Sequence, residues 1–436
     1  MKKHLLALSI GGALATASMS SMAAANNVGG GDAEALKAQL KQLEQELAAT
    51  EAKLAEAEAD SGGEEAEPEG ITLFDDTLKV GGAIRANYAI SDSPETGGAS
   101  QAPEDGGNFS LDTFRINLDY ANGPWLGKVE YRWYDGYNFL HTGWVGYNFE
   151  DAGQLQAGVN RVPFGPGPYG VSQSWFFDQH YYLGLSDDMD LGVKYSTEMG
   201  DWNWDVAYYI GSEGTYTGNT KDSSRYSYDV VNESGDGYEE RNQFNVRGVY
   251  SVPGDVAIAT DVGFSAQYGE LESKGVQDDG DHYAGSVHMI NKWDNFTLAS
   301  QLTYFRFDVD SAQPLGTADK VQMGAYDFPN TVASEGWVPA VSLSYNQSTP
   351  GIEWLDYVIP YVEYSSIMKE ASGFNDSELL TVGAAWGSGG WYIYTDLAFS
   401  NGNEFVGGDT AFGDRLGANP DDDWLTRFNI NFGYYF

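Results

Sequence analysis

The chain has 436 residues, no cysteine and a formal net charge of −41, from 64 acidic and 23 basic residues. The lack of cysteine excludes a disulfide framework. The negative charge and the absence of a basic patch argue against nucleic acid as a partner. No apolar run of about 18 residues follows the N-terminus, which excludes transmembrane helices.

Residues 1–25 have the organisation of a secretory signal peptide. A basic start is followed by an apolar core from Leu5 to Ala17, and Ala23-Ala24-Ala25 fits an A-x-A cleavage site. We therefore expect an exported protein whose mature chain begins near Asn26.

A coiled-coil segment is predicted at residues 26–59, ahead of an acidic, flexible linker at residues 60–77. A lone helix with this pattern would expose its leucines, so we expect the segment to self-associate. The seam has alternating spacings of four and three residues, with Thr50 in one seam position and leucine in the others: Leu36, Leu40, Leu43, Leu47 and Leu54.

From residue 78 onward, alternation of apolar and polar residues predicts about 16 strands. Connections after odd-numbered strands are mostly long, and those after even-numbered strands are tight. This pattern predicts an all-β fold, a transmembrane antiparallel β-barrel with its turns and both chain ends in the periplasm. The predicted strands are 78–90, 109–120, 125–134, 141–149, 154–160, 191–197, 202–210, 241–251, 256–268, 281–290, 293–307, 337–346, 354–364, 378–386, 391–400 and 424–436.

Tryptophan gives an independent indication of the same topology. Trp125, Trp202, Trp293, Trp354 and Trp391 each follow directly after a predicted tight turn. Five indoles at one height on one rim are what an interfacial aromatic girdle requires.

Apolar alternation also predicts which side chains face the lumen. Strands 16, 1, 2 and 3 are contiguous in a closed barrel, so their inward cations would form one basic wall. Their role could be selection at a constriction, or only structural pairing with lumen acids. The predicted basic wall is Arg85, Arg115, Lys128, Arg132 and Arg427, and the predicted opposite-wall acids are Asp205, Asp261, Glu363 and Asp396.

The third outer loop, residues 161–190, is dominated by proline, glycine and aromatic residues and is expected to pack rather than extend into solvent. We predict that it folds into the lumen as a constriction loop. Its acids would then face the basic wall and create a transverse field across a hydrated pore. These predicted constriction-loop acids are Asp178, Asp187, Asp188 and Asp190.

The last strand has five large apolar residues on one face, and such a face suits lipid better than water. It is expected to pair with the first strand and close the barrel. The ending resembles the C-terminal closing strand of Gram-negative outer-membrane barrels, which implies recognition by the barrel assembly machinery. The apolar residues are Phe428, Ile430, Phe432, Tyr434 and Phe436.

Together, the leader, strand number, inserted loop, arginine wall and terminal phenylalanine resemble trimeric Gram-negative porins over residues 78–436. Residues 158–165 are similar to a strand-to-loop signature of porins related to the phosphate-selective group, and the coiled coil is similar to that of dicarboxylate-uptake porins. The resemblance implies a homotrimer in the lipopolysaccharide-containing outer membrane. Its implied function is passive diffusion of small hydrophilic solutes and ions.

Two other functions stay open: a substrate-selective channel for dicarboxylate, phosphate or sugar, and a structural barrel that tethers the outer membrane to the periplasm. An enzyme is not expected, because no histidine lies in a motif with a nucleophile. We expect no cofactor and no dedicated metal site, although acidic clusters at 187–190, 278–281 and 421–423 could bind Ca²⁺ loosely. The overall acidity reflects either a saline habitat or cation preference in a pore.

Overall fold

The structure is a computed structural model that describes residues 70–436 except 75–76, 93–94, 97–98, 255–256 and 408–412. The predicted signal peptide, the predicted coiled coil and the linker up to residue 69 lie outside the described residues. Among the described residues, no helix is long and apolar enough to cross a membrane.

Within the described residues, sixteen long strands pair in chain order with antiparallel neighbours, and the last pairs with the first. The all-β barrel and its predicted strand number are therefore confirmed. The strands are β1 (Leu78–Ser91), β2 (Asn108–Asn122), β3 (Trp125–Trp133), β4 (Asn138–Asn148), β5 (Gln154–Arg161), β6 (Met189–Met199), β7 (Trp202–Ser212), β8 (Tyr238–Ser251), β9 (Ala259–Ser273), β10 (Gly280–Trp293), β11 (Phe296–Asp308), β12 (Glu335–Tyr345), β13 (Tyr357–Lys369), β14 (Ser377–Ser388), β15 (Trp391–Asn401) and β16 (Trp424–Tyr435).

Alternation along each strand separates an apolar outer face from a polar inner face. On β16, Phe428 and Phe432 are exposed on the outside, whereas Arg427, Asn429 and Asn431 are buried on the inside. A closed barrel has no free strand edge, and an apolar exterior is what lipid requires. Other exposed outer residues are Val145, Val206, Phe244, Val287 and Val382.

The seam between β1 and β16 runs from Ala83 opposite Tyr435 to Ser91 opposite Arg427. The terminal Phe436 continues it, because its N–H donates to the Gly82 carbonyl at 2.9 Å and its carbonyl accepts the Gly82 N–H at 2.8 Å. A side chain at Gly82 would lie 2.9 Å from the Phe436 ring and 2.4 Å from the Arg115 carbonyl. Glycine is needed here because the chain end packs so closely.

One rim carries the short connections, among them 123–124, 200–201, 294–295 and 389–390. Positive φ at Gly123, Gly200, Asp294 and Gly389 suits these two-residue hairpin turns. The five tryptophans lie on this rim as predicted, with two differences. Trp293 ends β10 instead of beginning β11, and Trp354 lies in the connection 346–356.

The other rim carries the long loops 92–107, 162–188, 213–237, 309–334 and 402–423. Four of them pack on one another and on the inner wall around a buried aromatic cluster. The short strands Asp229–Val230, Lys320–Ala325 and Phe328–Ala333 form a small sheet among these loops. The cluster includes Phe176, Tyr181, Tyr182, Tyr226, Tyr228, Met323 and Val406.

Candidate functional site in the barrel lumen

The third loop (residues 162–188) runs through the interior of the barrel and is anchored to its wall. The Gly165 N–H donates to Ser265 Oγ of β9 at 3.0 Å, and the Gln179 N–H donates to Ser365 Oγ of β13 at 3.1 Å. His180 Nε2 lies 2.8 Å from Thr303 Oγ1 of β11. These contacts fix the loop against the half of the wall that contains β9–β15.

Two of the predicted opposite-wall acids are anchors for this loop. Glu363 accepts hydrogen bonds from the Ser172 hydroxyl, at 2.7 Å, and from the Gln173 N–H. Asp396 accepts the Trp175 N–H at 3.1 Å. Both carboxylates are buried beneath the third loop, and their hydrogen bonds hold this loop in position. Their contribution to the charge of the pore stays a prediction.

The other two predicted opposite-wall acids are placed differently. Asp205 on β7 pairs with Arg247 at 3.0 Å, and Arg247 also donates to the Gly165 carbonyl at 2.7 Å. Asp261 lies on β9 near the turn rim. Neither acid makes a direct hydrogen bond or ion pair with the third loop in the described residues.

The basic wall forms on β1, β2, β3 and β16, and the arginines of β1–β3 have partners on the wall itself. Arg85 Nε lies 2.9 Å from Asp112 Oδ2. Arg132 Nε donates to Glu130 Oε1 at 2.5 Å, and an Arg115 nitrogen lies 3.7 Å from the same oxygen. Glu130 therefore bridges two guanidinium groups on adjacent strands.

Lys128 and Arg427, the remaining predicted wall cations, also face inward. Lys128 lies 3.5 Å from Asp119 on the neighbouring strand. Arg427 donates to the Phe405 carbonyl at 2.6 Å, and its guanidinium carbon lies 5.1 Å from the Trp175 ring centre. A cation–π contact of this kind joins the basic wall to the third loop.

Two β-bulges shape the basic wall. The register between β1 and β2 skips Asp112, and the register between β3 and β4 skips His141. Bulges re-aim side chains and are frequent beside functional sites. They turn Asp112 towards Arg85 and His141 towards Glu130, whose oxygen is 3.5 Å from His141 Nδ1.

The predicted loop acids have partners other than the basic wall. Asp187 pairs with Arg161 at 2.8 Å. Asp178 accepts the Val171 N–H at 2.9 Å and lies 2.8 Å from His180 Nδ1. The expected direct pairing of loop acids with Arg85, Arg115 and Arg132 is therefore not the arrangement seen among the described contacts.

Solvent reaches the lumen unevenly. The Arg161, Lys128 and Arg85 side chains on β5, β3 and β1 are 32%, 29% and 16% exposed. Glu363 and Asp396, on the half covered by the third loop, are 5% and 0% exposed. The accessible side of the lumen is thus the side with the inward cations.

No protein-family model matches the sequence, and no curated protein is significantly similar to it. Solved structures do match. Outer-membrane expressed OmpT of Vibrio cholerae is 14% identical, with a TM-score of 0.51 over 84% of this chain and 100% of that chain. The outer membrane channel DcaP of Acinetobacter baumannii is 10% identical, with a TM-score of 0.51 over 84% and 99%. Salmonella typhi OmpF, in complex with daunomycin, is 12% identical, with a TM-score of 0.51 over 84% and 100%.

This is the fold of outer-membrane porins. At such low identity the likeness concerns the fold alone. The porin fold and the apolar outer face together support the predicted outer-membrane location of the barrel.

The barrel also contains a group of acidic residues whose proximity could not be predicted from the sequence. Asp188 ends the third loop, Asp190 is the second residue of β6, and Asp229 belongs to the fourth loop (residues 213–237). Their carboxylate oxygens lie within 4.8 Å of one another, and all three residues are buried. Burial raises the pKa of Asp188 well above its usual range, and the neighbouring Asp190 carboxylate raises it further.

Proposed function

We propose that this protein forms a narrow, water-filled channel in the outer membrane of a Gram-negative bacterium, for passive diffusion of small hydrophilic solutes and ions. The observation that carries the proposal is the one-sided position of the third loop. It covers β9–β15 and leaves the inward cations of β1–β5 partly exposed to solvent. No catalytic activity is part of this function.

The channel has a weak preference for small anions. Basic side chains outnumber acidic ones on the accessible half of the wall, and screening at 0.1 M salt leaves fields effective over about 10 Å, comparable to a pore eyelet. The overall negative charge does not act in this eyelet, because much of it is on the outer loops. On β1–β5 and the adjoining end of the third loop, the basic side chains are Arg85, Arg115, Lys128, Arg132 and Arg161, against the acids Asp112, Asp119, Glu130 and Asp187.

Replacing Arg85 and Arg115 with alanine should raise conductance and shift the reversal potential in a salt gradient towards cations. One unit charge at 4 Å is worth about 1 kcal/mol in water, favourable for an anion and unfavourable for a cation, so the anion-to-cation permeability ratio should fall by up to about 30-fold for each removed charge that lies this close to the ion path. Arg132 is kept so that Glu130 retains a partner. Single-channel recording in planar bilayers measures both quantities.

Arg306→Ala is the matched control, because Arg306 lies on the outer face of β11 and pairs with Asp308 at 3.1 Å. This control should conduct and select like the parent. If the Arg85/Arg115 double variant also keeps the parental conductance and reversal potential, these two arginines do not lie along the ion path.

Two alternative functions, a substrate-selective channel and a structural barrel, can be distinguished from passive diffusion. Saturable block of the current by one solute, with phosphate and a dicarboxylate as the probes, would favour a substrate-selective channel. The aromatic cluster among the long loops favours a closed structural barrel, and a protein that inserts but never conducts would establish it.

The functional unit is a homotrimer, supported by the porin fold and the leucine seam at 36–54. Unheated protein should migrate as an SDS-resistant oligomer. Deletion of residues 26–70 should weaken this oligomer without abolishing it, because the barrel wall supplies a second interface. A monomer in mild detergent, measured by light scattering, would contradict the trimer. Lipopolysaccharide and the barrel assembly machinery are the other proposed partners.

A further inference from the structure

Five carboxylates gather inside the loop-side end of the barrel. Asp188, Asp190 and Asp229 are the central three. Glu213 lies directly after β7 and is close enough to Asp229 for the two charges to interact, and Glu240 is on β8. All five are buried, and the least buried of them is only 7% exposed.

Three oxygens of this group have no hydrogen-bond partner among the described residues: Asp188 Oδ1, Asp190 Oδ1 and Glu213 Oε2. Asp188 is 4% exposed and Asp190 1% exposed, so solvent does not replace the missing partners. A buried carboxylate without a partner is costly, and native structures avoid it unless the oxygen has another ligand.

Among the described residues, one cation contacts the group. Arg225 donates to Asp229 Oδ2 at 2.6 Å, and its other terminal nitrogen lies 2.6 Å from Asp222. A single guanidinium shared in this way leaves most of the negative charge of the group uncompensated. The arrangement thus lacks positive charge at its centre.

The oxygens converge from three parts of the chain. Asp188 and Asp190 are two residues apart at the start of a strand, so their side chains fall on the same face. Asp229 approaches from the fourth loop, while Glu240 and Gln243 approach from β8. Gln243 donates to Asp190 Oδ2 at 3.0 Å, and its own amide oxygen is buried without a partner in the described structure.

We propose that Asp188, Asp190 and Asp229 bind a Ca²⁺ ion, with Glu213, Glu240 and the Gln243 amide oxygen completing the ligand set. Calcium takes six to eight oxygen ligands in flexible geometry, which suits a protein cage rich in carboxylates. Magnesium prefers an octahedral set that keeps several waters, so it suits this dry, crowded site less well.

The bound ion has a structural consequence for the constriction. It ties the end of the third loop to the fourth loop and to β8, and it therefore holds both loops inside the barrel. Because this role concerns the position of the loops, it is tested by binding and stability, which are measured separately from conduction.

The test uses full-length protein in detergent, stripped with EDTA and titrated with CaCl₂ by isothermal calorimetry. We expect about one Ca²⁺ per chain with a Kd of about 1 mM or tighter, as in extracellular calcium modules, and weaker binding of Mg²⁺. Calcium should also raise the melting temperature, because it binds only the folded state.

The variant Asp188→Asn with Asp190→Asn keeps side-chain size, and neither residue is in an ion pair in the described contacts. Its affinity for Ca²⁺ should fall by about 100-fold or more. It should fold, because it removes like charges from a buried group, so its melting temperature without Ca²⁺ should be at least that of the parent. The calcium-dependent rise in melting temperature should disappear.

Asp278→Asn with Asp279→Asn is the control, since these acids are exposed in another predicted acidic cluster. It should bind Ca²⁺ like the parent. The site is refuted if the parent shows no saturable binding up to about 10 mM, ten times the weakest expected Kd, or if the Asp188/Asp190 variant binds like the parent. In that case the carboxylates of the group are neutralised by shared protons instead of by a metal ion.

Discussion

Replacing Glu130 with glutamine should lower the free energy of unfolding of the barrel by about 3–5 kcal/mol. The Glu130 carboxylate is buried and contacts Arg132 at 2.5 Å and Arg115 at 3.7 Å. Glutamine keeps the shape but removes the charge, so two guanidinium groups lose their shared counter-ion. Removing one partner of a buried ion pair costs more than the pair itself contributes, because the other charge stays buried.

A neighbouring ion pair provides the control for this variant. Asp119 and Lys128 lie on the same two strands, four residues from Arg115 and two residues from Glu130 respectively. They are 3.5 Å apart, with about a third of each side chain exposed. Asp119→Asn should cost at most about 1 kcal/mol. Urea unfolding in lipid vesicles, followed by tryptophan fluorescence, compares the two. Equal losses would mean that Glu130 is not the centre of the basic wall.

Much of the barrel could be predicted from local patterns. The period-two alternation and the turn residues identify each of the sixteen strands, because every strand has a lipid face and a lumen face. Strand ends were less predictable. The strand predicted at 256–268 is β9 at Ala259–Ser273, and the one predicted at 354–364 is β13 at Tyr357–Lys369. These ends are set by pairing with neighbours, which a single sequence does not display.

The bulges could have been detected. On β2 the outward apolar residues change parity, from Phe109 and Leu111 to Phe114 and Ile116, and only an extra residue between them permits this change. The extra residue is Asp112, the partner of Arg85. Alternation alone predicts that Arg85 faces the lumen, but it does not predict this partner as long as β2 is taken as a strand of constant register.

Contacts between distant segments could not be predicted. Asp188 and Asp190 were recognised as acids of the constriction loop, but Asp190 belongs to β6, and the third member of the group is Asp229, about forty residues later in the chain. The sequence around Asp229 does not indicate that it lies beside Asp188 and Asp190, because this proximity depends on how the fourth loop folds into the barrel. The anchoring of the third loop by Glu363 and Asp396 is unpredictable for the same reason.

Replacing both Glu363 and Asp396 with alanine should release the third loop from the wall and raise the single-channel conductance, with larger current fluctuations. The two carboxylates accept hydrogen bonds from Ser172, Gln173 and Trp175. Hydrogen bonds to charged groups contribute about 1.5–3 kcal/mol each, so the variant loses several kcal/mol of loop docking. Each 1.4 kcal/mol changes the ratio of docked to released loop about tenfold, so even a partial loss exposes the lumen measurably.

The isosteric pair Glu363→Gln and Asp396→Asn separates anchoring from charge. It removes the same two charges but keeps an acceptor oxygen at each position, so its conductance should stay near that of the parent. Asp261→Ala removes an inward acid of β9 that makes no direct hydrogen bond or ion pair with the third loop among the described residues, and should leave conductance unchanged. If the alanine pair and the isosteric pair conduct alike, charge and not anchoring controls the current. If neither differs from the parent, the third loop does not limit the pore, and the narrowest part of the channel lies among the aromatic residues of the long loops.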